Sequence, residues 1–501
     1  MEYTSQEELF KSLKGAFNVK LRMINKEYDL KLKEWIENNK DRIIKKWIEL
    51  CRIPSIKGEA EPGAPFGRSC ADALEYAAKL FDSEKIESKL YADSGYALAS
   101  YGTGYKKIGF FSHSDVVPVG DGWLYTEPFN PIVKDGALIG RGSEDNKSGI
   151  IAALCLTEFF RDYNIPLKST LETFIGSDEE CGMGDMIKYL EEQAMPDVSI
   201  VPDADFPCST GEKGIYHFWC ECKDKLDDII SISGGEAFNI VLDKVVTEIR
   251  YSEELYTELT EKISERPEFA LSEEADKIII LAKGIAKHAS IPEGSLNAGF
   301  ITAELLAECD SLSANDKEIM LRIKEILSDS FGKSLNVEYE DANFGKTTTV
   351  NGMIKTENRI ISISFDCRYG DTYSAEAIER NSEDAVTSKG FKVTYKDNRA
   401  GFSIDKNSEI PKKLEKVYAE CTGVNLGSVL MSGGTYARRL KNAFSVGTYI
   451  ISKERTTPVL KMPEGHGGPH QCDEMIDIEG FFEAVRVIMH YVLACDEIIN
   501  K

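Results

Sequence analysis

The sequence predicts an α/β protein. A first domain carries a mixed, mostly parallel sheet flanked by helices, and an α+β unit is inserted into it. Three observations carry this reading. Strand-like and helical segments alternate from about residue 97 to 201, as in units with a largely parallel sheet. Between about 215 and 396 the strands instead alternate apolar and polar residues, the pattern of an antiparallel sheet with one wetted face. After about residue 400 the chain returns to helix, short strand and final helix, a tail too short to form an α/β domain alone.

The elements follow in order. Residues 1 to about 50 read as two polar amphipathic helices, the second around Trp35 to Leu50 and stopped by Ile53-Pro54. A Gly/Pro-rich loop spans Gly58 to Gly67, and Ser69 to Phe81 has helical periodicity. Strands are predicted at Ala97 to Tyr101, Ile108 to Phe111, Leu171 to Ile175 and Val198 to Val201, with helices at Ile150 to Arg161 and Asp185 to Gln193. In the middle unit, Leu335 to Glu340 and Ile360 to Arg368 read as strands, and Asn297 to Glu308 and Ala375 to Ser388 as helices. A strand at Val446 to Ile451 and a helix from Ile478 to Asp496 close the chain. The expected division is an N-terminal extension at 1–28, a first domain at 29–213 and 398–501, and an inserted unit at 214–397.

Composition excludes several classes. The 501 residues hold 60 lysines and arginines against 84 aspartates and glutamates, a net charge of −24. Nucleic acids and anionic membranes are bound by basic surfaces, so neither is an expected partner. Hydrophobic residues at 42% suffice for a large packed core, which argues against wholesale disorder. The opening residues Met1-Glu2-Tyr3-Thr4 begin no basic and apolar leader, and no apolar run approaches the roughly 18 residues of a membrane span. Twelve scattered cysteines lack the density of a disulfide scaffold, so a reducing, cytoplasmic setting is expected. The pair Cys220 and Cys222 continues the alternation of Tyr216 and Phe218, one face of a strand rather than half of a zinc knuckle.

Five short segments combine acids and histidines with strand ends or loops. Phe110-Phe111-Ser112-His113-Ser114-Asp115 runs from an apolar strand into His-x-Asp, where a carboxylate could orient an imidazole ligand. Gly140-Arg141-Gly142-Ser143-Glu144-Asp145-Asn146-Lys147 precedes a helix and is also compatible with simple turn and cap chemistry. Asp178-Glu179-Glu180 follows a buried strand; adjacent carboxylates suit one metal ligand and one general base, or merely a solvated face. Asp203 sits at the exit of the strand Val198 to Val201. His470 lies in the loop Gly468-Pro469-His470-Gln471-Cys472-Asp473-Glu474. Singly each is ambiguous. Together they match a hydrolytic metal centre with nitrogen and oxygen ligands, which suits zinc and accepts cobalt or manganese.

The motifs His113-Ser114-Asp115-Val116-Val117-Pro118, Gly140-Arg141-Gly142 through Asp145-Asn146-Lys147, and Asp178-Glu179-Glu180 resemble those of the cocatalytic dinuclear zinc exopeptidases and amidohydrolases. That family includes PepV-type dipeptidases, carnosinases, acetylornithine deacetylases, succinyl-diaminopimelate desuccinylases and glutamate carboxypeptidases. The PepV-type dipeptidases are the nearest in look, through Pro202-Asp203-Ala204-Asp205-Phe206-Pro207, Gly211-Glu212-Lys213-Gly214 and Ser432-Gly433-Gly434-Thr435-Tyr436-Ala437-Arg438, and through a long insert like a double ferredoxin-like lid.

The resemblance implies two Zn²⁺ per chain, with Co²⁺ or Mn²⁺ as alternatives. Asp145 would bridge them, and its peptide bond to Asn146 would be cis. His113 and Asp203 would complete one ion's ligands, Glu180 and His470 the other's. Asp115 would support His113, and Glu179 would be the general base. From the lid, His288 would contact the oxyanion, so lid closure would assemble the site. Asn239 and Arg368 would bind substrate. The Ser432, Gly433, Gly434 and Thr435 loop would take the substrate's terminal carboxylate. Asn146 stands where a second aspartate is common, Ser148-Gly149 where Gly-Pro is common, and Ser114 is smaller and more polar than usual; none removes a ligand.

The implied activity is dipeptide hydrolysis by a monomer. An N-acyl amino acid deacylase or carboxypeptidase with the same centre is the first alternative, and a non-catalytic metal-stabilised peptide-binding protein the second. His217 and His490 read as ordinary packing or surface histidines. His466 reads as a loop residue or as part of the cleft lining.

Overall fold

The computed structural model describes residues 24–274, 276–450, 460–463 and 465–501. The first of the two predicted N-terminal helices lies outside the described residues. The chain forms two compact units. One contains the described residues up to Thr210 together with Ile404–Val429 and Thr435–Lys501; the other contains Gly211–Ser403 and Leu430–Gly434.

The first unit is built on a mixed sheet. Its four central strands, Thr170–Gly176, Lys107–His113, Val198–Val201 and Ala443–Ser445, are neighbours in that order and run parallel. Tyr96–Tyr101 and Ser88–Tyr91 extend one margin antiparallel, and Ser209–Glu212 begins the other. Alternation sorts the side chains of the central strand between the two faces. Phe110 joins the main apolar core, while Phe111 meets Phe174 and Tyr189 on the other face.

Helices Lys26–Cys51, Arg68–Ser83, Lys147–Asp162 and Ile478–Ile499 supply most of that core. Positions 147–160 are buried all round, apolar from Ile150 to Leu156 and with the polar side chains of Lys147, Ser148, Thr157 and Glu158 also enclosed. The Trp47 ring lies 4.4 Å from that of Phe481, tilted by 46°, tying the first described helix to the last. Burial of such a ring stabilises the fold by roughly 2–3 kcal/mol. Lys147 is wholly buried, and its Nζ donates to the carbonyls of Leu50 at 3.1 Å and Ile53 at 2.8 Å. Both carbonyls also accept backbone N–H groups, of Ile53 at 3.3 Å and of Ser55 at 2.9 Å, so the ammonium takes their second acceptor positions just past Lys26–Cys51.

The second unit holds two antiparallel sheets. One orders Thr348–Val350, Ile360–Tyr369, Gly214–Cys222 and Phe391–Arg399, with Ile354–Glu357 also on Ile360–Tyr369. The other orders Ile229–Ser233, Lys244–Arg250, Lys277–Lys283 and Phe269–Glu274. Helices Glu253–Ile263, Ala298–Ala307, Ala314–Ile326 and Ala375–Ser388 share the unit's core with them. The alternation predicted for Tyr216, Phe218, Cys220 and Cys222 is present: all four are buried.

Two predicted strands differ. Leu335 to Glu340 is a turn segment in which only Glu340–Asp341 pairs, with Gly345–Lys346. Leu335 and Val337 are buried, but Asn336 has φ +55° and the N–H of Val337 turns back to Gly332. The strand expected from Val446 is Ala443–Ser445; after Ser445 the chain leaves the sheet, and the N–H of Ala204 caps the Val446 carbonyl. Among the described residues no helix is long and apolar enough to cross a membrane. All twelve cysteines are free thiols.

Candidate metal centre and active site

The parallel strands deliver the site. His113 ends one strand, and its register partner Gly176 ends the next, so Asp178, Glu179 and Glu180 emerge beside it. Asp203 follows Val198–Val201, and Asp145 precedes the helix Lys147–Asp162. These are the carboxyl ends of the strands, where open α/β sheets bind ligands. His470 comes from the loop before the strand Met475–Asp477, with φ +64°. The Asp145–Asn146 peptide is cis.

The structure brings all five proposed ligands together. His113 Nε2 lies 3.2 Å from Asp145 Oδ1 and 3.8 Å from Asp203 Oδ2. His470 Nε2 lies 3.0 Å from the other oxygen of Asp145 and 3.2 Å from Glu180 Oε2. One carboxylate thus presents its two oxygens to two histidines. Two donors, each 2.0–2.1 Å from one tetrahedral ion, stand about 3.3 Å apart, so these spacings suit shared coordination. Metal-sized groups of donors recur at His113, Asp145 and Glu180, and at His113, Glu179 and Asp203.

Two buried atoms give an independent test of fit. His113 Nε2 and Glu179 Oε1 have no hydrogen-bond partner. His113 Nδ1 lies 3.0 Å from the main-chain oxygen of Asp115, which can only accept, so the ring proton is on Nδ1. Nε2 then aims a lone pair at two carboxylates. A cation satisfies all three groups; without one, the imidazole must take a proton. The ionisation trends agree. Burial opposes charge on His113, but Asp115, Asp145 and Asp203 outweigh it and hold the ring's pKa well above its ordinary value. Burial likewise opposes charge on His470, and Asp145 and Glu180 reverse this, pushing it up to about 11. Burial would raise Asp145, yet the two histidines draw it far below the usual carboxylate range. Mixed imidazole and carboxylate donors fit zinc, cobalt or manganese.

Glu179 is different. Only 7% exposed, it is pushed well above the ordinary carboxylate range by burial, against the pull of His113 and with Asp203, Glu180 and Asp115 adding to the rise. Such a carboxyl group is suited to exchanging a proton with a reactant. The Asp178 carboxylate is engaged elsewhere, with Lys57 at 2.6 Å and the N–H of Gly184 at 3.0 Å. Asp115 was expected behind His113. Its carboxylate is 3.4 Å from that ring, but its hydrogen bonds are to the N–H groups of Glu179 at 3.2 Å and Glu180 at 3.1 Å. Asn146 donates to the Pro202 carbonyl and to Asp203 Oδ1 at 3.1 Å, so the amide orients a ligand in a way an aspartate there could not when ionised.

The proposed substrate-binding residues fall in two groups. Within the second unit, His288 and Asn239 lie on adjacent segments: Ile240 bridges His288, and the N–H of Ala289 donates to the Asn239 carbonyl at 2.8 Å. His288 Nδ1 lies 2.7 Å from the Ser290 hydroxyl and 3.2 Å from the Ser290 N–H. Arg368 is buried in the same unit; it forks onto Asp366 at 2.6 and 2.8 Å and donates to the Ser432 carbonyl at 2.8 Å. Ser432, Gly433 and Gly434 belong to this unit, whereas Thr435 belongs to the first, where its hydroxyl lies 3.0 Å from that of Ser445 and accepts the N–H of Ala437.

Some contacts of the candidate residues and of the remaining histidines were not legible in the sequence. His217 is half-buried, with Nε2 3.0 Å from Asp366 Oδ2 and its ring stacked 4.6 Å from Phe238. Asp366 and Arg368 are two apart on one strand and so share a face, a signal present in the sequence. Arg141 and Glu474 form a buried ion pair at 2.7 Å, with no local signal because 333 positions separate them. His466 is held by Asp473 at 2.6 Å, and His490 packs in the last helix against Asp29 at 3.2 Å.

Comparison with known proteins places this site in context. Residues 109–494 match the family model described as Peptidase family M20/M25/M40. A Bacillus subtilis (strain 168) protein named "Putative dipeptidase YtjP" is 28% identical over 456 residues, covering 88% of this chain and 94% of its own. "Putative dipeptidase SAB1611c" of Staphylococcus aureus (strain bovine RF122 / ET3-1) is 26% identical over 489 residues, covering 93% of this chain and all of its own. Human carnosine dipeptidase 1 shares the fold with a TM-score of 0.58 at 15% identity, over 94% of this chain and 99% of that one. The di-peptidase Dug1p of Saccharomyces cerevisiae does so with a TM-score of 0.57 at 12% identity, over 94% and 98%.

Proposed function

Since the chain belongs to peptidase family M20/M25/M40, we propose that it is a metal-dependent dipeptidase whose water is deprotonated by Glu179. The observation that carries this reading is Asp145, whose two oxygens face His113 and His470 with the unpartnered Glu179 Oε1 nearby. His113, Asp145 and Asp203 would hold one divalent cation, and Asp145, Glu180 and His470 a second, zinc being the ion the donors suit best. When bound, such cations supply Lewis acidity, favouring ionisation of water and polarisation of a carbonyl.

The chain's own residues do the rest. Glu179 accepts a proton from water as its oxygen bonds to the scissile carbonyl carbon, then delivers it to the nitrogen as the C–N bond breaks. Asp115 fixes the turn that carries Glu179 and Glu180 through their N–H groups. The roles proposed for His288 as donor to the oxyanion, for Asn239 and Arg368 as substrate binders, and for Ser432, Gly433, Gly434 and Thr435 as the carboxylate loop rest on the family resemblance. The proposed partner is a short peptide, and the proposed assembly a monomer.

The test is hydrolysis of a dipeptide library by chelated protein resupplied with Zn²⁺, Co²⁺ or Mn²⁺, beside N-acetyl amino acids and longer peptides. Dipeptide turnover restored by metal supports the reading. Preference for N-acetyl amino acids or for longer peptides replaces it with a deacylase or a carboxypeptidase. Bound metal without turnover of any of these leaves a peptide-binding protein.

A further inference from the structure

Asp145 and His470 are separated by more than three hundred residues, yet both must face one cation in the reading above. Their loops run beyond the antiparallel pair Ala137–Ile139 and Met475–Asp477, and past that pair the tie between them runs through Glu474. Glu474 is four positions after His470 and wholly buried. Its Oε1 accepts the N–H of Glu144 at 2.9 Å and of Asp145 itself at 3.0 Å. Its Oε2 accepts the N–H of Gly142 at 3.1 Å and Arg141 Nη1 at 2.7 Å. The main chain follows: the Glu474 carbonyl accepts the N–H of Gly140 at 2.9 Å and the Ser143 hydroxyl at 3.2 Å. Every hydrogen-bonding position of this residue's carboxylate is thus spent on residues 141–145. Arg141, also buried, lies 5.6 Å over the Trp123 ring, which limits where its guanidinium can go.

We propose that Glu474 is a positioning residue for the second cation seat: it sets the separation between the bridging Asp145 and His470, and Arg141 holds its charge in place. The inference rests on the reading of the site as a two-cation centre and concerns only its second member. In the first seat His113 and Asp203 stand at or just past the ends of neighbouring strands paired directly in the sheet, so of its three ligands only Asp145 is reached by Glu474. Replacement by glutamine shows why charge matters. The amide oxygen could keep the Glu144 and Asp145 N–H groups, but the NH₂ group would then face two donors, the N–H of Gly142 and Arg141.

The experiment is titration of the chelated full chain and its Glu474→Gln variant with Co²⁺, read by the ligand-field absorption of the bound ion, and with Zn²⁺ by calorimetry. The wild type should take two ions. Glu474→Gln should bind the second ion at least about tenfold more weakly and the first, which shares only Asp145, by a smaller factor, with the larger spectral change at the second ion. Glu474→Asp, which keeps the charge, should recover part of the loss. Wild-type affinity and spectrum for the second ion in Glu474→Gln would overturn the proposal, as would equal weakening of both seats. Should Glu474→Gln fail to fold by circular dichroism, Arg141→Lys decides in the same way. A wild-type chain that takes fewer than two ions would refute the two-cation reading instead, a result visible before any variant is made.

Discussion

The carboxylate of Asp115 accepts the backbone N–H of Glu180 at 3.1 Å, so one acid fixes the placement of another without touching its side chain. Its second oxygen does the same for Glu179 at 3.2 Å. Asp115→Ala leaves both buried N–H groups unpaired and frees the turn. We expect metal affinity to fall about 10–100-fold, with a loss of turnover at saturating metal as well. Asp115→Asn, which keeps one acceptor, should fall between. Metal titration followed by kcat at saturating metal checks this, and unchanged values in Asp115→Ala would count against it.

Glu179→Gln should reduce kcat by at least about 10²-fold while the metal content stays at the wild-type level. The side chain is placed as a proton carrier, not as a required ligand. Metal analysis beside steady-state kinetics separates the two roles; loss of metal in this variant would make it a ligand.

His217 supports Asp366, which in turn clasps Arg368. His217→Phe keeps a ring to stack on Phe238 but removes the bond to Asp366. We expect KM for dipeptides with a free carboxylate to rise about tenfold, the equivalent of roughly 1.4 kcal/mol, with kcat nearly unchanged. Dipeptide amides, which lack that carboxylate, should show no such rise. Equal effects on both substrate classes would exclude this role.

Asp29 gives a pH signature of stability. Burial alone would raise its pKa, but hydrogen bonds from His490 and Arg486 hold it down at about 2. A folded value below the unfolded one stabilises above the unfolded value and is lost as pH falls. The contribution, about 2 kcal/mol for this largely buried group, should therefore be complete above pH 5 and vanish between about pH 4 and pH 2. Thermal unfolding of wild type and Asp29→Asn should converge across that window. A constant gap in Tm would contradict it.

Legibility in the sequence followed the range of the interactions. The strand Val198–Val201 and the helix Ala375–Ser388 coincide with their predicted limits, the first because an apolar run is bounded by Pro202, the second because Ser374 caps it through the N–H of Ala377. The segment from Leu335 misled because burial of alternate residues imitates a strand while Asn336 takes a left-handed backbone. The proposed metal ligands were readable because His113, Asp145, Glu180 and Asp203 sit just past strand ends or beside a helix start and His470 in a Gly/Pro-rich loop, all local signatures. What Asp115, His217 and Glu474 bind was not, since each chooses partners 64, 149 and more than 300 positions away.

The register partnership of His113 with Gly176 has a consequence for how such a protein can change. The gap between the two ligand-bearing turns is measured by the inter-strand spacing of about 4.8 Å, not by the chain that links them. The loop at 163–169 could lengthen or shrink over evolutionary time without moving a donor atom. A slip of one residue between those two strands would turn each side chain to the opposite face and dismantle the centre. The site is therefore tolerant of insertion and intolerant of misregistration, and a designer seeking to graft new loops onto it should leave the strand pair alone.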